Sequence, residues 1–148
     1  MTSGLIASLC ALAVATGFGL YRKARDGRVV PGSRSAGTTE TEAADVPGEL
    51  TAQDLGSSLG SRATLVQFSS AFCAPCRATR RILADVAGFA DGVSYVEIDA
   101  ESRLDLVRRM DVRRTPTTFV LGPDGRVTHR ASGQPRKADV IAALGAVL

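Results

Sequence analysis

The sequence predicts an α/β fold: a mixed sheet flanked by helices, preceded by a single apolar helix. Three observations predict it. Strand-type and helix-type stretches follow one another from residue 51 in the order α-β-α-β-α-β-β-α. A Cys-x-Pro-Cys pair, Cys73 to Cys76, falls between the first strand-type stretch and the helix after it. The chain opens with 20 residues, Thr2 to Tyr21, that carry no charged side chain.

The uncharged opening stretch, as a helix, is roughly 30 Å long, about one hydrocarbon core. A buried helix and a signal peptide are the alternatives. Ala13-Val14-Ala15 has the small-residue look of a cleavage site, but no basic side chain precedes the apolar run, as a secretory signal would require. Residues 1–21 are therefore expected to form a retained transmembrane anchor. Arg22, Lys23, Arg25 and Arg28 follow it directly. Basic flanks stay on the cytoplasmic side, so the N-terminus is expected outside and the rest of the chain in the cytoplasm. A domain facing outward is the alternative. Cys10 lies within the apolar run and reads as a small packing residue. Residues 22–49 read as a basic juxtamembrane segment and a flexible linker. Val30 to Thr39 is small and polar, and Glu40, Glu42, Asp45 and Glu49 continue without apolar periodicity. Such a segment buries too little surface to offset its ordering entropy.

Charge is unevenly placed. The formal net charge is +3, and residues 1–30 account for all of it. The remainder is balanced, 14 basic against 14 acidic side chains. The excess thus suits anionic lipid headgroups beside the anchor. It gives no support to nucleic-acid binding, which asks for a basic face with stacking aromatics. The chain has five Phe, two Tyr and no Trp.

The domain is expected over residues 50–148. Thr51 suits an N-cap, with Asp54 in the place of the capping-box partner. Leu55 and Leu59 share a face. Ala63 to Ser69 reads as a strand, and Ala74 to Ala87 as a helix burying Ile82, Leu83, Val86 and Phe89. Val93 to Asp99 is the second strand. Ser102 to Met110 is a helix with Leu104, Leu106, Val107 and Met110 apolar. Thr117 to Leu121 is a strand, Pro123-Asp124-Gly125 a turn, and Arg126 to Ala131 its hairpin partner. Gly133 marks a bend or a close backbone approach. Arg136 to Leu148 closes as a helix with Val140, Ile141, Leu144 and Val147 inward. The β-α-β part requires parallel strands, and the final hairpin adds an antiparallel edge.

Phe72-Cys73-Ala74-Pro75-Cys76-Arg77 carries the chemistry. Two thiols at a helix start can close a small disulfide ring and reopen it. Unpaired N–H groups and the helix dipole favour a thiolate there. One Cys-x-x-Cys pair in a strand–helix setting points to redox use. This motif, the element order and Arg114-Thr115-Pro116-Thr117-Thr118-Phe119 about 40 residues later together resemble the thioredoxin family. The resemblance covers about residues 50–148, two-thirds of the chain.

The resemblance implies a thioredoxin-like fold with Cys73 as attacking thiol, exposed, and Cys76 as resolving thiol, more buried. It implies a cis bond at Pro116, with Thr115 offering backbone groups to an extended substrate. Phe72 stands where the family has Trp and is expected to cover one side of the disulfide. Pro75 shapes the first helical turn, where a missing N–H costs little. Gly133 matches a groove-lining glycine. The sequence also departs from the family. Gln67 occupies the place of a buried, proton-accepting aspartate, and glutamine cannot titrate. Ser69 replaces an aromatic residue. Tyr95 replaces the lysine that pairs with the aspartate. Glu97 shares strand and parity with Tyr95, so it is a candidate for a relocated proton acceptor, against a plain strand carboxylate. Asp99 matches a structural aspartate at the strand end. Arg113 and Arg114 are expected beside the thiols, where positive charge lowers the pKa of Cys73, or else in a solvated loop.

The expected function is a membrane-tethered thiol–disulfide oxidoreductase acting on protein thiols and disulfides, in the reducing direction, with an electron donor or acceptor of unspecified identity. The redox-active disulfide Cys73–Cys76 is its only redox group; no other cofactor is implied. The soluble domain is expected to be monomeric. The alternative is a binding module that holds a membrane partner in the Pro116 groove. Cys73, Cys76 and His129 are too few ligands for structural zinc, and His129 lies too far along the chain to read as a Cys–His pair.

Overall fold

The computed structural model describes residues 2–25, 27–31 and 48–148. Its elements are α1 (Thr2–Arg25), β1 (Val29–Pro31), α2 (Ala52–Leu55), β2 (Ala63–Ser69), α3 (Ala74–Phe89), β3 (Val93–Asp99), α4 (Leu104–Arg109), β4 (Thr117–Leu121), β5 (Val127–Ser132) and α5 (Lys137–Gly145). Five strands make one sheet in the order β1-β5-β4-β2-β3. β2 and β3 are parallel, pairing Gln67 with Glu97 and Ser69 with Asp99. β2–β4, β4–β5 and β1–β5 are antiparallel. The expected mixed sheet between helices is present.

All of β2 is buried because it lies centrally with both faces covered. Side chains alternate between those faces. Val66 and Phe68 enter the core under α4 with Leu106, Met110 and Phe119. Ala63 and Leu65 enter the core under α3 and α5 with Leu83, Val86, Val140 and Leu144. Gln67 and Ser69 continue this second face, so both are turned toward α3.

The α3 stripe is rotated from its expected position. Cys76, Thr79, Leu83 and Val86 are its buried residues. Ile82 is half-buried, and Phe89 is 81% exposed with the Lys137 ammonium over its ring. Ile141, also expected inward, is 52% exposed. It stands one position past buried Val140, on the flank of the α5 stripe.

Thr51 forms the expected capping box with Asp54. The Thr51 N–H donates to Asp54 Oδ2 at 2.9 Å, and the Asp54 N–H donates to Thr51 Oγ1 at 3.2 Å. Asp54 also pairs with Arg109 at 2.6 Å, joining α2 to α4. Burial pushes the Asp54 carboxyl up, but the Thr51 N–H and Arg109 outweigh it and hold the group below its usual value. A depressed folded-state pKa stabilises above the unfolded value, about 3.9. That contribution is lost as pH falls through the folded-state value. Thr51→Ala is expected to cost about 1 kcal/mol, read as a lower urea midpoint at unchanged slope.

The segment expected as linker behaves differently at its start. Val29, Val30 and Pro31 pair with Ala131, Arg130 and His129 on the sheet edge. Gly27, at φ 75°, donates its N–H to the Ser132 carbonyl at 3.0 Å. A Cβ there would sit 1.9 Å from the Gln134 carbonyl oxygen. The physical reason is partner availability: the outer edge of β5 has free N–H and C=O groups, and a short apolar segment satisfies them. Linker residues 32–47 lie outside the described residues. The expected anchor at residues 1–21 falls on α1, whose described side chains, Cys10 to Tyr21, are exposed. Among the described residues no helix is long and apolar enough to cross a membrane.

Candidate active site

β2 delivers the chain to the N-terminus of α3, and the two cysteines occupy that turn. Cys73 is the N-cap, Pro75 stands in the first turn, and Cys76 follows. The two sulfurs form a disulfide with Cα atoms 5.2 Å apart. Cys73 is partly exposed and Cys76 is 2% exposed, the difference in exposure that was expected. The Cys76 N–H donates to Cys73 Sγ at 3.1 Å. The same N–H is placed to stabilise a thiolate on Cys73 once the disulfide opens.

Thr115–Pro116 is cis. Pro116 is held by the residue just past β5: its carbonyl accepts from the Gly133 N–H at 2.7 Å. Gly133 has φ 95°, a conformation open to glycine and costly for other residues. The two halves of the site are tied by a bond absent from the sequence reading. Ser70 Oγ and Thr115 Oγ1 are 3.0 Å apart, linking the loop before the thiols to the residue before the cis-proline. Two hydroxyls in separate loops leave no periodic signal, so only the tertiary structure reveals this contact.

Beneath the disulfide lies a neutral polar network. Gln67 is fully buried; its Nε2 donates to the Cys76 carbonyl at 3.0 Å. The Tyr95 hydroxyl donates to Gln67 Oε1 at 3.0 Å. Burial, reinforced by the nearby Glu97 charge, pushes Tyr95 up to about 12, so it remains protonated. Glu97 accepts from Ser69 Oγ at 2.6 Å and pairs with Arg80 at 2.7 Å. It lines one cleft of about 500 Å³ together with Cys73, Cys76, Arg77 and Asp99.

One expectation is corrected here, and of the two readings of Arg113 and Arg114 the structure favours the exposed loop. Phe72 is 100% exposed and does not cover the disulfide. The preceding Ser69, Ser70 and Ala71 are small, and give its ring no wall to pack against. Arg113 is turned to Asp111 at 3.0 Å. Arg114 donates to the Ser132 carbonyl at 2.6 Å; it braces the Pro116 loop against the end of β5. Neither arginine lines the cleft with the thiols. His129 sits on β5 beside Thr128, two strands away from β2 and paired with Pro31 of β1, and burial lowers its pKa. Among the described residues no three His, Cys, Asp or Glu side chains group to hold a metal ion.

A dithiol–disulfide centre on a β-α-β frame, opposed by a cis-proline loop, defines the class of this protein. A family model described as Thioredoxin matches residues 47–146. The chain belongs to the thioredoxin family. It is 34% identical to Thioredoxin-2 of Pyricularia oryzae over 83 residues, 55% of this chain and 48% of that protein. Its identity to Thioredoxin H4-1 of Oryza sativa subsp. japonica is 32% over 57 residues, 38% of this chain and 44% of that one. The chain spans about half the length of the curated relatives it matches. Thioredoxin f from spinach chloroplast superposes with a TM-score of 0.53 at 19% identity, covering 60% of this chain and 78% of that one. That likeness is one of fold.

Proposed function

We propose that the chain is a thiol–disulfide oxidoreductase acting on protein partners, working as a reductase. The observation that carries this reading is the Cys73–Cys76 disulfide at the N-terminus of α3, with the cis Thr115–Pro116 loop tied to the residues before it through the Ser70–Thr115 contact. Cys73 thiolate attacks a partner disulfide, and a mixed disulfide forms as the partner's other sulfur leaves. Cys76 then attacks Cys73 Sγ, which releases the reduced partner and restores the Cys73–Cys76 bond. A donor dithiol of unspecified identity reduces that bond again. Phe72, Pro75, Thr115, Pro116 and Gly133 form the partner-facing surface. Turnover of insulin disulfides, supplied with dithiothreitol, tests the reading. Absence of turnover above the dithiothreitol background would reject it.

Cys76 must lose a proton to attack. Gln67 cannot take it, and Tyr95 stays protonated. We assign that proton to Glu97, whose carboxylate lines the same cleft as Cys76. Glu97→Gln is expected to slow resolution of the mixed disulfide on the order of 100-fold near neutral pH, and to restore it as rising pH ionises Cys76 directly. A rate–pH profile identical to wild type would remove Glu97 from the mechanism.

The reading also places the domain beside a membrane. Its support is the 20-residue uncharged stretch Thr2 to Tyr21 and the basic flank after it. In this proposal the N-terminus lies outside and the domain in the cytoplasm. Cysteines introduced singly at positions 31–48, treated with a membrane-impermeant reagent in intact cells, are expected to stay unlabelled. Labelling from outside would reverse the orientation.

A further inference from the structure

We propose that the cleft beside the disulfide is a subsite for a small zwitterionic thiol, one bearing carboxylate and ammonium groups, which opens the Cys73–Cys76 bond. The inference rests on the exchange chemistry above and names a second class of substrate for it.

The cleft has a volume of about 500 Å³, inside the range of roughly 300–1,000 Å³ common for small-molecule sites. Cys73 and Cys76 are part of its wall, so an occupant meets the disulfide directly. Ser69 is part of its wall. Ser69 is 7% exposed and directs its hydroxyl to Glu97, leaving open the volume that a larger side chain would fill.

The lining charges select the occupant. Arg80 and Glu97 neutralise each other at 2.7 Å. Arg77 and Asp99 remain. Arg77 is exposed, and among the described residues no ion pair engages it. Asp99 uses Oδ1 to accept the Glu101 N–H at 3.0 Å, which leaves Oδ2 for a ligand. One cation and one anion therefore border a disulfide within a single cleft. A protein segment brings neutral backbone to such a place. An amino-acid-derived thiol brings a carboxylate for Arg77 and an ammonium for Asp99.

The chemistry balances. The small thiolate attacks Cys73 Sγ, the more exposed sulfur. A new S–S bond forms as the Cys73–Cys76 bond breaks, and Cys76 leaves as a thiolate that takes a proton from solvent. A second small thiolate attacks the sulfur of the bound small thiol, and Cys73 leaves as a thiolate. The protein disulfide is reduced to a dithiol, and two small thiols are oxidised to their disulfide.

Glutathione is the probe and mercaptoethanol the uncharged control, compared at equal thiolate concentration on the oxidised full chain. Opening is followed by acid quench, alkylation and intact mass. Opening by glutathione is expected to saturate, and opening by mercaptoethanol to rise linearly. Arg77→Ala and Asp99→Asn are each expected to raise the half-saturating glutathione concentration about tenfold, the loss of one charged hydrogen bond, with the mercaptoethanol rate within about twofold. A linear dependence on glutathione in the wild type would overturn the proposal, as would variants that slow both thiols alike. Insulin turnover by the same wild-type preparation separates the two readings. Turnover with unsaturable glutathione kinetics removes the subsite alone, and loss of both removes the exchange chemistry beneath it.

Discussion

Cys73→Ser is expected to abolish insulin disulfide turnover, a loss on the order of 10³-fold or more, because the sulfur that remains, on Cys76, is buried away from a partner disulfide. Cys76→Ser is expected to fail differently. Its Cys73 still attacks, so partner proteins accumulate as mixed disulfides that reductant releases on a non-reducing gel. The asymmetry follows from the structure: Cys73 is partly exposed at the N-cap, and Cys76 is buried one turn further in. Full turnover by Cys73→Ser would reject the mechanism. Equal trapping by both serine variants would reject the assignment of roles.

Phe68→Ala carries the largest expected stability loss, about 3–5 kcal/mol. Phe68 is fully buried in the central strand, and its ring meets Phe119 edge-on, 5.8 Å between centroids at 79°. The cavity would open between two strands that cannot collapse independently. A typical domain has about 5–15 kcal/mol in total, so the variant is expected to be partly unfolded at 37 °C by circular dichroism. A fall in the urea midpoint equivalent to less than 1 kcal/mol would mean that the site repacks. The substitution lies on the face away from Gln67 and α3, so any fraction that remains folded is expected to keep its disulfide chemistry.

The frame of this fold is legible in the sequence because its elements carry local signals. Alternation marks β3, a short apolar run marks β4, and the Pro123-Asp124-Gly125 turn fixes its hairpin with β5. The Cys-x-Pro-Cys pair and Thr115-Pro116 fix the two halves of the site through the family resemblance. The failures are of another kind. β1 is a three-residue strand, Val29–Pro31, whose reason to form lies about 100 residues away on β5. Nothing in its own neighbours distinguishes it from linker. Phe89 reads as core because it lies seven residues after Ile82. The true centre of the stripe is Cys76-Thr79-Leu83-Val86, and two of those residues are not strongly apolar. Phe72 was expected to pack because the family has Trp in its place; the small residues before it remove the wall. The Ser70–Thr115 link joins two loops, and its length of 3.0 Å is a property of the assembled fold alone.

Gln67 shows how a departure can be read correctly in part. The sequence reveals that a titrating group is missing. The structure supplies what replaces it: a buried amide that holds the Cys76 carbonyl on one side and the Tyr95 hydroxyl on the other. A buried polar residue with both ends satisfied stiffens its surroundings. In this protein the floor under the thiols is therefore fixed and neutral, and the proton acceptor proposed above, Glu97, lies in the cleft at the side.

β1 has one more consequence. The sequence alone reads as a domain on a leash, so the natural shortening would begin near Thr51. Such a fragment would keep the thiols and the cis-proline, but it would lose Leu50 from the core under α4 and Val29 from the edge of the other. It would also strip the selvedge from the sheet, baring the β5 backbone from Val127 to Ser132 as a docking strip for any extended chain. The N-terminal segment is thus both an attachment and a hem, and a fragment cut without it is expected to elute as dimers and larger species where a fragment retaining Gly27 to Pro31 runs as a monomer.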